Sequence, residues 1–266
     1  MNDLAYPVPG KLTTLLVGWS EDGWPSLVLP VKAYTSRPDG DRTRDEAAAE
    51  LGALRRRIVD NIELRRVEPG KDLVSHLLAT DLDGRGLTDD EIVALVMMVI
   101  FGGVDTTVAA IGNMLVYLDR DRDLRARLIK DRGLIPAAVD ELLRYEAPVQ
   151  GFCRFPLTPA VVRDQRIDVG EKVLLLWSSA NRDEDVFPQP DEVQLDRSPN
   201  PHLTFGIGPH RCLGATMART ELRIVLEEVL ARIPDYTIDG AGIERTDTAG
   251  TVYDRRRIPA QFSAGA

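Results

Sequence analysis

The sequence has few of the residues that build disulfide scaffolds and zinc centres. Only two cysteines, Cys153 and Cys212, occur among 266 residues, and the histidines are His76, His202 and His210. Two cysteines are too few for a disulfide framework, so the composition indicates a reducing compartment. The histidines have none of the spacings typical of zinc ligands. We therefore expect a cytoplasmic protein whose fold depends on neither disulfides nor zinc.

Long apolar runs are also missing. The longest run, Ile92 to Phe101, has ten residues, whereas a membrane-spanning helix needs about 20. The first ten residues have no basic start followed by an apolar stretch, so they are unlike a signal peptide. The sequence predicts that the chain neither spans a membrane nor carries a secretion signal.

The charge balance is acidic. The chain has 33 basic and 42 acidic residues, a formal net charge of −9, with 44% apolar and 28% charged residues. This composition is typical of globular proteins and excludes a disordered chain. The excess of acid argues against attraction of the whole chain to nucleic acid or to anionic lipid. We expect partners of neither kind.

The apolar pattern predicts a mainly α fold with a small β part. A helix with charged residues between apolar positions is expected over 45–68, and a long helix over about 89–118, opened by a capping box of Thr88 and Glu91. That long helix is apolar on nearly every side, which indicates that it is buried. Short β-like runs between 161 and 177 predict a small sheet, and a further helix follows over 215–233. No internal linker is present, so we expect one domain over 1–266.

The first forty residues give no regular prediction, because prolines interrupt their apolar stretches. The tail, 236–262, predicts weak strands separated by turns.

The middle of the long helix breaks the helical pattern. Gly102 and Gly103 cost helix stability, and Asp105, Thr106 and Thr107 place polar groups in an apolar element. Paired glycines let a flat object approach the backbone, and a threonine hydroxyl can donate to the carbonyl at Gly102, which opens a groove. A buried acid beside a hydroxyl could relay protons. Close helix packing around the glycines, with Asp105 paired to a base, is the alternative interpretation.

The loop from Phe205 to Gly214 carries the second cysteine and is followed at once by a helix. Its Gly206-x-Gly208 sequence is not a dinucleotide-binding motif, because Arg211 takes the third glycine position and no βαβ unit surrounds it. A cysteine at a helix N-terminus beside an arginine favours the thiolate form. Haem iron needs only one protein thiolate, and flanking glycines would let the backbone lie flat under a porphyrin.

A third feature is Glu141 with Arg144 on one face of a predicted helix. Such a pair is either a weak surface ion pair or, given its apolar flanks, a buried one whose disruption is costly.

These three features in this order resemble the cytochrome P450 superfamily of haem-thiolate monooxygenases, most closely its soluble bacterial members. The cysteine-ligand signature of that family is matched at Phe205, Gly206, Gly208, His210, Cys212 and Gly214. The stretch 102–107 resembles the oxygen-activation segment of the family. Glu141 and Arg144 resemble its Glu-x-x-Arg pair, which Arg197 would join from the proline-rich region.

The resemblance implies haem b as the cofactor, with Cys212 as the proximal ligand of the iron. Asp105 and Thr106 would deliver protons, while Arg154 and His210 would hold the haem propionates. The glycines of the two motifs, Gly102, Gly103, Gly206, Gly208 and Gly214, and the ring of Phe205 would shape the haem site. Glu141, Arg144 and Arg197 would be structural. The expected substrate pocket is lined by Ile100, Val104, Val149, Phe152 and the turn at Thr251 and Val252. A ferredoxin is the implied electron donor, and Arg211, Arg219 and Arg223 either dock it or form a solvated helix face.

The family normally has further strands and helices ahead of Tyr6 to Gly10, so we expect an N-terminally truncated P450-like fold. Three hypotheses follow. The first is a monooxygenase that hydroxylates or epoxidises a small organic substrate in bacterial secondary metabolism, with a second copy, another subunit or a rearranged N-terminus as the missing cover. The second is a haem protein with peroxide-driven or rearrangement chemistry. The third is a haem-free remnant that serves as a partner-binding scaffold.

Overall fold

The structure is a computed structural model and describes residues 1, 3–35, 44–245 and 252–263. The helices in these ranges are α1 (Pro7–Leu16), α2 (Pro25–Thr35), α3 (Arg44–Val67), α4 (Leu73–Leu78), α5 (Asp89–Arg120), α6 (Arg122–Lys130), α7 (Ile135–Tyr145), α8 (Trp177–Ala180) and α9 (Ala215–Arg232). The predicted mainly α class is confirmed.

The strands of the described ranges are short and pair two by two in antiparallel fashion. They are β1 (Asp81–Leu82) with β2 (Arg85–Gly86), β3 (Gly151–Arg154) with β6 (Val173–Leu176), β4 (Ala160–Val162) with β5 (Gln165–Ile167), β7 (Thr237–Ile238) with β10 (Ala260–Gln261), and β8 (Glu244–Arg245) with β9 (Arg255–Arg257). In the pair β3–β6, Gly151 lies opposite Leu176 and Arg154 opposite Val173. The small β part is therefore a set of hairpin-like ribbons.

Helix α5 is the centre of the fold. It begins at the predicted capping box, in which the Thr88 hydroxyl accepts from the Glu91 backbone N–H and the Glu91 carboxylate accepts from the Thr88 backbone N–H. It contacts α1, α2, α3, α4, α6 and α9. By length and composition α5 could cross a membrane, but half of its most apolar window is buried inside the protein. The buried residues of that window thus form part of the core against which the other helices pack.

The first two helices were not predicted from the sequence. Pro7 and Pro25 each stand at the start of a helix, where the missing N–H of proline costs nothing. Leu27 and Val28 of α2 are fully buried in the core. Packing therefore keeps α2 helical even with Pro30 inside it.

Candidate functional site

The cysteine loop is held open by two glycines in the left-handed region. Gly206 and Gly208 both have φ of +67°, a conformation that side chains other than glycine rarely adopt. The loop closes through a hydrogen bond of 2.7 Å from the Cys212 N–H to the Phe205 carbonyl oxygen. Cys212 is consequently fixed three residues before the first residue of α9.

Both cysteines are free and exposed, but they lie in different settings. Cys212 precedes Gly214, which is the N-cap of the 18-residue helix α9. Cys153 lies within strand β3. Of the two, only Cys212 has the surroundings of an iron ligand.

One side of α5 is open to solvent in its middle. Ala94, Met98 and Gly102 are exposed at intervals of four residues, and Thr106 is half-exposed one turn further on. A Cβ atom added at Gly102 would meet no atom within 4 Å. The Thr106 hydroxyl donates to the Gly102 carbonyl oxygen at 2.8 Å, which confirms the predicted hydrogen bond.

Asp105 points into the core instead. It is 5% exposed, and its Oδ2 atom accepts a hydrogen bond of 2.6 Å from the Thr35 hydroxyl of α2. Its Oδ1 atom is buried and has no hydrogen-bond partner among the described residues. Burial raises the pKa of Asp105, although Lys32 and the Thr35 hydrogen bond oppose that shift. Lys32 itself pairs with Asp254, so Asp105 has a hydroxyl rather than a base as its direct partner.

Two of the predicted pocket residues lie elsewhere. Ile100 and Val104 are completely buried in the hydrophobic core. They sit two residues before and after Gly102, which on a helix of 3.6 residues per turn points them away from the open side. The structure therefore moves these two residues from the predicted pocket to the core.

The other predicted pocket residues come together near β3. Val149 and Val252 face each other in an isolated antiparallel bridge, although 103 positions separate them in the sequence. Phe152, in β3, is 45% exposed and packs edge-to-face against Trp177 with ring centroids 5.4 Å apart. Thr251 lies outside the described residues.

The two residues predicted to bind the haem propionates, Arg154 and His210, lie in separate segments of the chain. Arg154 is half-buried in β3 and donates to the Cys153 carbonyl oxygen at 3.0 Å. His210 is exposed and ends the single 3-10 turn Gly208–His210 within the cysteine loop. No salt bridge is found for either side chain among the residues that the structure describes.

Glu141 and Arg144 form a buried pair rather than a surface pair. Both are at most 1% exposed, and Arg144 donates to both carboxylate oxygens of Glu141 at 2.8 and 2.9 Å. Arg197 joins them, with its Nε atom 3.0 Å from Glu141 Oε1. The remaining N–H groups of Arg144 donate to the carbonyl oxygens of Asn181, Pro190 and Glu192. The three residues therefore fasten α7 to the irregular segment 181–203.

A second charged cluster was missed in the sequence. The Oδ1 atom of Asp140 lies 3.1 Å from His202 Nε2 and 2.7 Å from Arg219 Nε. Burial alone would raise the pKa of Asp140, but the hydrogen bonds from His202 and Arg219 hold it below its ordinary value. Arg223, one turn after Arg219, pairs with Glu227. Two of the three arginines considered for ferredoxin docking are thus paired within the chain.

The family profile described as Cytochrome P450 matches residues 26–234, which include all three motifs and most of the chain. The chain belongs to the cytochrome P450 family.

Curated P450 relatives are similar over nearly the whole chain. The steroid C26-monooxygenase of Mycolicibacterium smegmatis is 36% identical and aligns with 100% of this chain and 67% of its own length. Cytochrome P450-terp of a Pseudomonas species is 37% identical, over 99% of this chain and 64% of its own. The chain therefore spans about two thirds of the length of these P450 relatives.

Solved P450 structures share the fold. Cytochrome P450 PksS, of the Bacillus subtilis bacillaene polyketide synthase, has a TM-score of 0.92 and 27% identity, and the match covers 98% of this chain and 68% of that one. CYP109E1 from Bacillus megaterium, solved with testosterone, has a TM-score of 0.90 and 28% identity, covering 98% and 72%.

P450 enzymes bind haem b through a cysteine thiolate, and the residues of this chain fit that group. The donor set is one exposed thiol at a helix N-terminus, in a loop that left-handed glycines keep open. Apolar side chains flank the thiol, with Ile207 75% and Leu213 84% exposed. Arg154 and His210 offer donors suited to carboxylates.

Proposed function

We propose that this chain is the haem-binding and catalytic part of a P450 monooxygenase that hydroxylates or epoxidises a small organic substrate. The observation that carries the proposal is the cysteine loop, in which the bond from the Cys212 N–H to the Phe205 carbonyl presents one exposed thiol at the start of α9. A single presented thiolate is what haem iron requires from the protein.

Cys212 would supply the thiolate ligand of the haem iron, and Arg154 and His210 would bind haem propionates. Bound haem supplies the iron chemistry that activates dioxygen. Thr106 would deliver the proton of its Oγ1 hydroxyl, which in this structure donates to the Gly102 carbonyl oxygen on the open side of α5. Burial raises the pKa of Asp105, but its carboxyl group accepts from Thr35 in the core, so its part in proton delivery would require the side chain to turn toward Thr106.

The substrate we propose is a bulky, mostly apolar molecule, taken up beside Phe152 and the Val149–Val252 bridge. Its class is supported by the names of the relatives, which include steroid C26-monooxygenases and a polyketide-associated P450. A ferredoxin in the cytoplasm is the proposed electron donor. A second copy or another subunit is the proposed cover for the site.

Haem loading tests the proposal. The chain is reconstituted with haemin, reduced and exposed to carbon monoxide, and we expect the Soret shift characteristic of a thiolate ligand. Cys212→Ala should abolish that shift, because it removes the ligand, and Cys153→Ala is the matched control that should retain it.

Absence of bound haem in the unmodified chain would contradict the proposal and favour the partner-binding scaffold. If haem binds, product formed with a ferredoxin and its reductase supports the monooxygenase. Product formed with peroxide alone would instead support the peroxide-driven hypothesis.

A further inference from the structure

The backbone position of Cys212 depends on Phe205. The Phe205 carbonyl oxygen accepts the hydrogen bond from the Cys212 N–H at 2.7 Å. A change in the backbone torsions of Phe205 therefore moves the acceptor that fixes the cysteine, and the contacts of the Phe205 ring restrain such a change.

Two side chains contact the Phe205 ring. The guanidinium carbon of Arg219 lies 4.4 Å from the ring centroid, in cation–π contact. The imidazole of His202 lies 5.8 Å from the same centroid, tilted by 49°. One neighbour comes from α9 and the other from the segment just before the loop.

Asp140 ties both neighbours to α7. His202 Nε2 and Arg219 Nε both bind its Oδ1 atom. His202 and Arg219 lie 62 and 79 positions after Asp140 in the sequence. Three separate parts of the chain thus meet at a single carboxylate oxygen. We name these residues, Asp140, His202 and Arg219, the phenylalanine clamp.

His202 is buried at a cost in folding free energy that an apolar residue in its place would not have. Its side chain is 2% exposed, and its Nδ1 atom is buried without a hydrogen-bond partner in the described ranges. A buried ring nitrogen without a partner destabilises a fold, whereas an apolar ring of similar size would not. What His202 adds over such a ring is the bond from Nε2 to Asp140.

We propose that the phenylalanine clamp is a set of positioning residues that holds Phe205 and, through its carbonyl oxygen, sets the orientation of Cys212. Its role towards the iron rests on the proposed function, but its mechanical effect on the Cys212 N–H does not. Loss of one clamp residue frees the Phe205 ring and lengthens the hydrogen bond from the Cys212 N–H to the Phe205 carbonyl oxygen. The Cys212 side chain can then turn away from the position in which it would bind iron.

Amide hydrogen exchange on the haem-free chain measures the clamp directly. In Arg219→Gln and in Asp140→Asn we expect the Cys212 amide to exchange at least about five-fold faster, because local opening becomes easier. Amides in the centre of α5 should exchange as in the unmodified chain. An unchanged Cys212 rate, or equal acceleration in α5, would overturn the proposal.

Arg223→Gln is the matched control. Arg219 and Arg223 lie one turn apart on α9, are 35% and 38% exposed, and each pairs with one acid. We expect the Cys212 exchange rate of Arg223→Gln to equal that of the unmodified chain. The same acceleration in Arg219→Gln and Arg223→Gln would show a general effect of charge on α9 and would contradict the proposal.

The haem-loaded chain gives a second, spectroscopic signature. Carbon monoxide complexes of Asp140→Asn and Arg219→Gln should contain a larger share of the form without a thiolate ligand, and Arg219→Lys, which keeps the cation, should restore part of the thiolate form. Unchanged spectra in all three would contradict the proposal. If the unmodified chain binds no haem, the proposed function fails, whereas the exchange experiment still decides the clamp.

Discussion

At the scale of single residues, Glu221 is an acid that the fold accommodates poorly. It lies in α9 and is 7% exposed, and its Oε1 atom has no hydrogen-bond partner in the described part of the chain. Burial raises the pKa of Glu221 to about 7. The sequence shows the apolar side of this helix at Leu222, Val225, Leu226 and Leu230, but the burial of Glu221, one turn before Val225, is visible only in the structure.

Glu221 makes the stability of the chain depend on pH. Between its ordinary pKa of 4.5 and about 7, the folded state binds more protons at this group than the unfolded state, so the free energy of unfolding falls as pH rises through that window. We expect Glu221→Gln to be neutral near pH 4 and to stabilise the chain by roughly 1–3 kcal/mol at pH 8. Urea unfolding at both pH values is the measurement. A loss of stability at pH 8 would show that the charged form has a partner.

At the scale of elements, the sequence predicted α5 well and α1 and α2 not at all. The capping box and the all-round apolar pattern of α5 are local signals. By contrast, α2 contains Pro30 and is helical because Leu27 and Val28 are buried against other helices. The position of Thr35 beside Asp105, 70 residues away, follows from the same packing and has no signal in the sequence.

Replacing glycines by alanine should have opposite effects on stability in the helices and in the cysteine loop. Gly102→Ala and Gly52→Ala should each stabilise the chain by about 0.5–1 kcal/mol, since the added methyl group meets nothing within 4 Å at Gly102 and only an ordinary contact of 3.6 Å at Gly52.

Gly206→Ala should have the opposite sign. Its φ is +67°, and the new Cβ would lie 3.3 Å from the His210 carbonyl oxygen, so we expect a loss of about 1–2 kcal/mol. Chemical unfolding of the three variants checks this; stabilisation by Gly206→Ala would be incompatible with the described loop.

At the scale of the whole molecule, Glu141 joins regions that are far apart in the chain. It accepts from Arg144, from Arg197 and from the Gln194 backbone N–H. Burial alone would raise the pKa of Glu141, but these hydrogen bonds hold it below its ordinary value. Its contribution to stability is therefore complete at neutral pH and is lost in acid, as pH falls below that ordinary value.

Loss of the Glu141 charge should lower the free energy of unfolding strongly. Glu141→Gln leaves two buried arginines without their counter-ion, and we expect a cost of about 3–5 kcal/mol in the free energy of unfolding at pH 7. Glu228→Gln breaks an exposed pair with Arg232 and should cost under about 0.5 kcal/mol. Equal effects of the two changes in denaturant titrations would contradict the buried network.

How much of the site was predictable also depends on distance along the chain. Cys212, its glycines and the Glu141–Arg144 pair were recognisable because each motif is contiguous. The phenylalanine clamp was not, because it forms only when distant segments pack, and Val149 and Val252, which bridge in the structure, were brought together only by the family resemblance. The buried positions of Ile100 and Val104 followed from the face that α5 turns to its neighbours, which its all-round apolar sequence does not specify. That the whole chain is one domain stays a prediction.

Each strand of the described sheets pairs with one other strand, so its outer side has no strand partner there. In β3 and β6 this open side is combined with exposed apolar side chains at Phe152 and at residues 174–176. Such an edge is a template for a further strand from any chain. We therefore expect self-association of the purified protein to begin at residues 151–154 and 173–176.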